Sequence, residues 1–114
     1  MKTDKFREIP TPFYYYDREL LEKTLTVIKE EMGKADNCHL HYAVKANTNA
    51  DVLKVIAQYG FGADCVSGWE IESCVKAGFE PHKIVFAGVA KSDWEIQLAL
   101  EVGIDHFNVE SVQE

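Results

Sequence analysis

Lys45 is the residue of this chain whose type and position most directly suggest chemistry. It ends the apolar stretch 39–45, His-Leu-His-Tyr-Ala-Val-Lys, which reads as a buried strand. Lysine is rarely buried, and desolvation lowers its pKa until a neutral amine can act as a Schiff-base nucleophile. A strand-end lysine can also simply extend its ammonium into water. Position alone leaves both interpretations open.

The cysteines and histidines do not suggest a metal site. Cys38, Cys65 and Cys74 are odd in number and lack C-x-x-C spacing, so we expect reduced, mostly buried thiols that pack as small hydrophobic groups. His39 and His41 share one face of the predicted strand, but no third ligand is evident near them. The sequence therefore predicts no bound metal.

Composition limits the classes of function that remain. The chain has 114 residues, 46% of them hydrophobic, and a formal net charge of −7, which allows one domain at most. The acidic balance and the lack of a Lys/Arg-rich run argue against a nucleic-acid or membrane-surface partner. No stretch resembles a signal peptide or a membrane span. We expect a cytoplasmic protein.

Short apolar runs alternate with amphipathic segments after residue 37. The predicted strands are 39–45, 63–66, 84–86 and 106–109, and the predicted helices between them are 50–59, 68–77 and 92–102. Each helix shows apolar residues at helical spacing and is followed by a glycine. Ser92 and Glu95 form a capping-box pair at the start of the last helix.

The repeated strand and helix predict a parallel sheet, because each helix returns the chain for another parallel strand. An open doubly wound sheet would carry a glycine-rich phosphate loop after a strand, whereas Gly60-Phe-Gly62 precedes one. A closed barrel is therefore favoured. Such a barrel has about 250 residues, and this chain supplies roughly four of its strands. We expect the N-terminal part of a larger protein.

The region before the repeat has a different pattern. Residues 1–36 are predicted to form an N-terminal extended segment and a helix over 19–32, and residues 37–114 the first half of a barrel, an incomplete domain. The three tyrosines at 14–16 predict a strand with partly buried aromatic rings.

Five motifs occur in a characteristic order. They are Thr11-Pro-Phe-Tyr-Tyr-Tyr-Asp17, Tyr42-Ala-Val-Lys-Ala-Asn47, Gly62-Ala-Asp-Cys-Val-Ser-Gly68 with Glu70, Lys83-Ile-Val-Phe-Ala-Gly88 with Lys91-Ser-Asp93, and Phe107-Asn-Val-Glu-Ser111. Together they resemble the N-terminal portion of the diaminopimelate decarboxylase family, pyridoxal-phosphate-dependent enzymes built on an alanine-racemase-like barrel. The resemblance implies an α/β fold, a partial TIM-type (β/α) barrel of about four β/α units.

The resemblance also implies a site and an activity. Lys45 would be the catalytic Schiff-base lysine for pyridoxal 5'-phosphate, and Asp64 and Glu70 would help to bind this cofactor. The full-length enzyme, a homodimer, would decarboxylate the amino acid meso-2,6-diaminopimelate to L-lysine. Other cofactor contacts of the family lie beyond Glu114, so the chain alone is expected to be inactive. Asp64 could instead be a strand-end hydrogen-bonding carboxylate, and Glu70 a first-turn residue favoured by the helix dipole.

Alternatives remain open at this point. The same fold serves decarboxylases of carboxynorspermidine, arginine or ornithine, and a non-catalytic relative could bind a partner in the manner of an antizyme inhibitor. Trp69 and Ala90 stand where the family usually has glycine, which permits unusual dihedral angles or close backbone approach. A tryptophan at position 69 could crowd the cofactor.

Overall fold

A computed structural model describes residues 4–114 as a four-stranded parallel sheet with four α-helices. The strands are β1 (His41–Ala43), β2 (Gly62–Cys65), β3 (Ile84–Phe86) and β4 (His106–Phe107), and they lie side by side in that order. The helices are α1 (Arg18–Met32), α2 (Ala50–Gln58), α3 (Gly68–Ala77) and α4 (Asp93–Val102), with short 3-10 helices at Asp4–Glu8 and Pro81–Lys83. The predicted α/β partial barrel is confirmed.

Polar side chains fix where the helices begin. The Asp17 carboxylate accepts the backbone N–H of Leu20 at 3.0 Å, before α1. Asn49 Oδ1 accepts two backbone N–H groups at the start of α2, each at 3.1 Å. These side chains satisfy donors that the first turn of a helix leaves free. Local sequence therefore fixes where these two helices begin.

One face of the sheet builds the hydrophobic core. Its side chains are fully buried and pack with residues of all four helices. We call this the covered face, defined by Ala63, Cys65, Ile84 and Phe86. The free thiol of Cys65 lies 3.8 Å from that of Cys74 on α3, and this hydrogen bond, together with burial, raises the pKa of Cys65.

The other face of the sheet has a different composition. The parallel register aligns Ala43 with Asp64, Asp64 with Val85, and Val85 with His106. Aligned residues project from the same side of a sheet, and none of these four belongs to the hydrophobic core cluster of residues 4–114. We call this the open face, defined by Ala43, Asp64, Val85 and His106.

The predicted first strand is wrong at both ends. The structure limits β1 to His41–Ala43, whereas the sequence predicted 39–45. Lys45 has a φ of +50°, in the left-handed region that cannot continue a strand. Lys45 therefore lies outside the strand that the sequence predicts it to end. The last strand is shorter than predicted as well, and α4 begins one residue later because Ser92 is its N-cap.

Two further expectations need correction. Tyr14–Tyr16 form no strand, and Tyr14 is 90% exposed, because no strand of the sheet pairs with this segment. Cys38 is exposed, in contrast to the two buried thiols. The first three residues of the predicted region 1–36 lie outside the described part, and its boundary with 37–114 stays a prediction. Between residues 4 and 114, no helix combines the length and apolarity needed to cross a bilayer.

Candidate functional site

Lys45 lies two residues after the end of β1, at the carboxyl end of the sheet, in a strained backbone conformation. The backbone N–H of Asn47 donates to the Val44 carbonyl at 3.1 Å, which makes Lys45 the second residue of a tight turn. Its φ of +50° is one that such turns normally assign to glycine. For a residue with a side chain this costs roughly 1–2 kcal/mol. Strain of this kind clusters at functional sites.

Asp64 lies on the neighbouring strand and carries an unpaired oxygen. Its backbone carbonyl accepts the N–H of Val44, the residue before Lys45, at 3.2 Å. Its side-chain Oδ1 is buried and accepts no hydrogen bond from residues 4–114. A buried polar atom without a partner is costly. An unpaired carboxylate oxygen one strand away from a strained lysine fits a site that holds a ligand group or an amine.

Glu70 is buried, but its carboxylate is already engaged. Oε2 accepts the backbone N–H of Val66 at 2.8 Å, and the Glu70 N–H donates to Ser67 Oγ at 3.2 Å. Glu70 as a whole is 8% exposed. Glu70 therefore holds the connection between β2 and α3 just beyond Asp64. Its predicted contact with a cofactor stays a prediction.

The two residues that replace family glycines have different surroundings. Trp69 is 68% exposed, and its ring lies 5.8 Å from that of Trp94 at a 60° tilt. This contact places the ring beside α4, which follows β3, two strands from Lys45. Ala90 has a φ of +57°, so this backbone does favour the glycine that the family usually carries.

A repeated pair of residues organises the carboxyl ends of β2, β3 and β4. The pairs are Ser67 and Glu70, Ser92 and Glu95, and Ser111 and Glu114. The last pair repeats the contacts of the first: the Glu114 N–H donates to Ser111 Oγ at 3.3 Å, and Glu114 Oε2 accepts the Glu110 N–H at 2.9 Å. Sequence reasoning found only the middle pair. The recurring S-x-x-E spacing is the signal that would have revealed the other two.

Glu95 links α4 to the preceding β/α unit. Its Oε2 accepts the Ser92 N–H at 3.0 Å and the Ser92 hydroxyl at 2.6 Å, which confirms the predicted pairing. Its Oε1 accepts the N–H of Gly68, at the start of α3, at 2.9 Å. These bonds, led by the one from the Ser92 hydroxyl, lower the pKa of Glu95.

Lys91 makes the equivalent link between the units of β3 and β4. Its ammonium donates to the carbonyls of Gly88 at 2.6 Å and Asn108 at 2.7 Å, and it pairs with Glu114 Oε1. The side chain is 3% exposed and lies over the Phe86 ring, 5.6 Å from its centroid. This pairing lowers the pKa of Glu114. The loops after β3 and β4 are therefore bound to each other.

A cavity of about 660 Å³ lies at the opposite, amino end of the sheet. Its lining includes the four histidines of the chain, His39, His41, His82 and His106. Residues 4–114 contain no group of three or more His, Cys, Asp or Glu side chains placed to hold a metal ion. The helices of this fold have their carboxyl ends on this side of the sheet. Residues such as histidine and lysine are favoured there by the negative ends of the helix dipoles. Because barrel active sites lie at the carboxyl end, this cavity is not the candidate site.

Comparison with known families agrees with the fold. The family described as pyridoxal-dependent decarboxylase, pyridoxal binding domain, matches residues 18–114. This match covers most of the chain, including β1 and the turn with Lys45. The chain therefore belongs to the pyridoxal-dependent decarboxylase family, and it matches the model of the family's pyridoxal binding domain.

Individual relatives narrow the similarity to one branch of the family. The chain is 59% identical to diaminopimelate decarboxylase of Bacteroides thetaiotaomicron over 97% of its own length and 29% of that protein. The crystal structure of diaminopimelate decarboxylase from Helicobacter pylori complexed with L-lysine superposes with a TM-score of 0.84 at 42% identity, covering 95% of this chain and 27% of that one. The crystal structure of ornithine decarboxylase from Entamoeba histolytica superposes with a TM-score of 0.79 at 29% identity. That similarity covers 94% of this chain and 32% of the ornithine decarboxylase chain. The chain thus spans less than a third of each of these relatives.

Proposed function

We propose that Lys45 holds pyridoxal phosphate covalently through Nζ, and that Asp64 and Glu70 complete this part of the cofactor site. The observation that carries the proposal is the left-handed backbone of Lys45 next to a strand whose Asp64 has a buried, unpaired oxygen. Neither feature stabilises the fold. Both are explained if the fold retains them for a bound group and an amine.

Each of the chain's residues has a physical role in this proposal. When bound, pyridoxal phosphate supplies the electron sink that makes loss of carbon dioxide from an amino acid possible. Asp64 Oδ1 has no partner among residues 4–114, and in this proposal it accepts a hydrogen bond from the Lys45 amine once the cofactor site is complete. The small side chain of Ala43 leaves room on the open face. Glu70 keeps the backbone after Asp64 in place through the Val66 N–H.

The proposed reaction is the decarboxylation of meso-2,6-diaminopimelate to L-lysine by the whole protein. The 59% identity to a diaminopimelate decarboxylase supports this substrate over ornithine, because the similarity to the ornithine decarboxylase structure is 29%. A homodimer and a cytoplasmic location belong to the same proposal, and sedimentation and cell fractionation would test them.

The 114-residue chain alone is proposed to be inactive. It spans 29% of the Bacteroides relative and leaves the open face of its sheet outside the hydrophobic core. A covalent anchor without the rest of a pocket cannot orient a substrate. Release of carbon dioxide from diaminopimelate by the purified chain would contradict this part of the proposal.

Reductive trapping tests the proposed role of Lys45. The chain is incubated with pyridoxal phosphate, reduced with borohydride and mapped by peptide mass spectrometry. We expect the label to concentrate at Lys45, to be lost in Lys45→Arg and to persist in Lys54→Arg, which removes an exposed lysine of α2. Label spread evenly over the surface lysines would contradict the proposal and favour a non-catalytic binding relative.

A further inference from the structure

We propose that Glu95 is a positioning residue for the cofactor site, acting from α4 through the start of α3 on the end of β2. The inference rests on the proposed function, because it assigns Glu95 a role in placing Asp64 and Glu70. Glu95 follows β3 in the chain and is not among the residues predicted to contact the cofactor.

The first step is the contact between Glu95 and α3. Glu95 Oε1 accepts the N–H of Gly68 at 2.9 Å, across 27 residues of sequence. That N–H belongs to the first residue of α3, where helices leave donors without partners inside the helix. A carboxylate is the acceptor that a helix N-terminus favours most. The start of α3 is therefore held by a side chain of the following unit.

Close packing at Gly68 supports the same link independently. A Cβ atom at position 68 would lie 2.6 Å from the Trp94 ring and 3.0 Å from Glu95 Cγ. A contact of 2.6 Å essentially does not occur, so a larger residue at position 68 would displace the half-exposed Trp94 ring. The first turn of α4 thus rests directly on the first residue of α3, and a shift of one moves the other.

The second step carries this link to β2. Ser67 Oγ accepts the Glu70 N–H at 3.2 Å, and Glu70 Oε2 accepts the Val66 N–H at 2.8 Å. Val66 follows β2 directly and stands two residues after Asp64. Glu95 therefore holds Gly68, and the neighbouring Ser67 bonds to Glu70. Glu70 in turn bonds to Val66, two residues after Asp64. A partly buried series of hydrogen bonds of this kind favours one geometry when all its members are satisfied.

Substitution of Glu95 by glutamine tests the role with little change of shape. Three donors converge on the carboxylate, from Gly68 and twice from Ser92, and a carboxamide has a single acceptor oxygen. Glu95→Gln must therefore lose or weaken at least one of these three bonds. Ser92→Ala is the comparison variant, because it destabilises the same helix start but leaves the bond from Gly68 in place. Glu101→Gln, at an exposed site of α4, is the control.

Two measurements decide the matter. We expect Glu95→Gln to speed amide hydrogen exchange at Val66 by about tenfold and to weaken pyridoxal phosphate trapping at Lys45 by about tenfold. Ser92→Ala should lower the thermal midpoint about as much as Glu95→Gln does, but it should change neither exchange at Val66 nor trapping at Lys45. Glu101→Gln should match the wild type in all three measurements. Glu95→Asp keeps a carboxylate at this position. Near wild-type exchange at Val66 and trapping at Lys45 in that variant would support the inference.

The inference is overturned if Glu95→Gln leaves exchange at Val66 unchanged, or if Ser92→Ala reproduces both effects at equal loss of stability. Failure of the proposed function looks different. In that case the wild-type chain shows no preference for label at Lys45. The comparison of amide exchange at Val66 between Glu95→Gln and the wild type, made without cofactor, then shows whether Glu95 holds the end of β2.

Discussion

The two faces of the sheet differ in what their side chains do. The covered face presents Ala63, Cys65, Ile84 and Phe86, all of them fully buried. The open face presents Ala43, Asp64, Val85 and His106 in strict register, and its one buried carboxylate oxygen is unpaired. A parallel sheet is normally apolar on both faces. The covered face supplies the hydrophobic core, and the proposed cofactor site uses the open face.

The largest expected effect comes from truncation of the covered face. Phe86→Ala should lower the free energy of unfolding by about 3–5 kcal/mol, because it removes a fully buried ring and leaves a cavity. His106→Ala on the open face should change it by less than about 1 kcal/mol. Urea denaturation of both variants measures the difference. Equal losses would remove the distinction between the faces.

The hydrogen bonds that Glu95 accepts from Gly68 and Ser92 predict that stability depends on pH. Its pKa is lowered below 4.5 in the folded chain, so its contribution is fully present above pH 4.5 and is lost as pH falls through the folded-state value. Glu95→Gln should cost about 1 kcal/mol at pH 7, allowing for solvent screening of a partly exposed group. The gap between variant and wild type should narrow as pH falls below 4.5 toward the lowered pKa of Glu95. A gap that stays constant in denaturation curves across this range would refute the assignment.

Asp64 should lower the free energy of unfolding while it supports binding at the proposed cofactor site. Asp64→Asn keeps the shape but removes a charge whose Oδ1 has no partner, so we expect the free energy of unfolding to rise by about 1 kcal/mol. Trapping of pyridoxal phosphate at Lys45 should fall in the same variant. Asp36→Asn, in an exposed loop, is the matched control for both measurements. A less stable Asp64→Asn variant would mean that the carboxylate supports the fold.

Ala90→Gly should produce the smallest change. The left-handed φ of +57° at this position strains an alanine, and glycine removes the strain at some cost in the entropy of the unfolded chain. We expect a net gain of about 0.5 kcal/mol, visible as a higher thermal midpoint. Val89→Gly, next to it without a positive φ, should be destabilising. A loss of stability in Ala90→Gly would contradict the reported backbone geometry.

The sequence predicts the parts of this fold that local signals encode. The strand and helix alternation, the cap at Ser92 and the carboxyl-end position of Lys45 all follow from spacing and residue type. The left-handed turn at Lys45 does not, because alternation alone extends the strand through it. The contacts from Glu95 to Gly68 and from Lys91 to Glu114 join residues 27 and 23 apart. Such pairs become visible only when the helices are placed on the sheet.

The most direct test of the account compares label at Lys45 in the folded and unfolded chain. Pyridoxal phosphate is reduced onto the lysines with borohydride in buffer and in 8 M urea, about the concentration that unfolds small domains, and the labelled fraction of each lysine is quantified. The account predicts that Lys45 is preferred in buffer and equal to the other lysines in urea. The same modest labelling of Lys45 under both conditions would contradict it, because the folded geometry would then contribute nothing to the site.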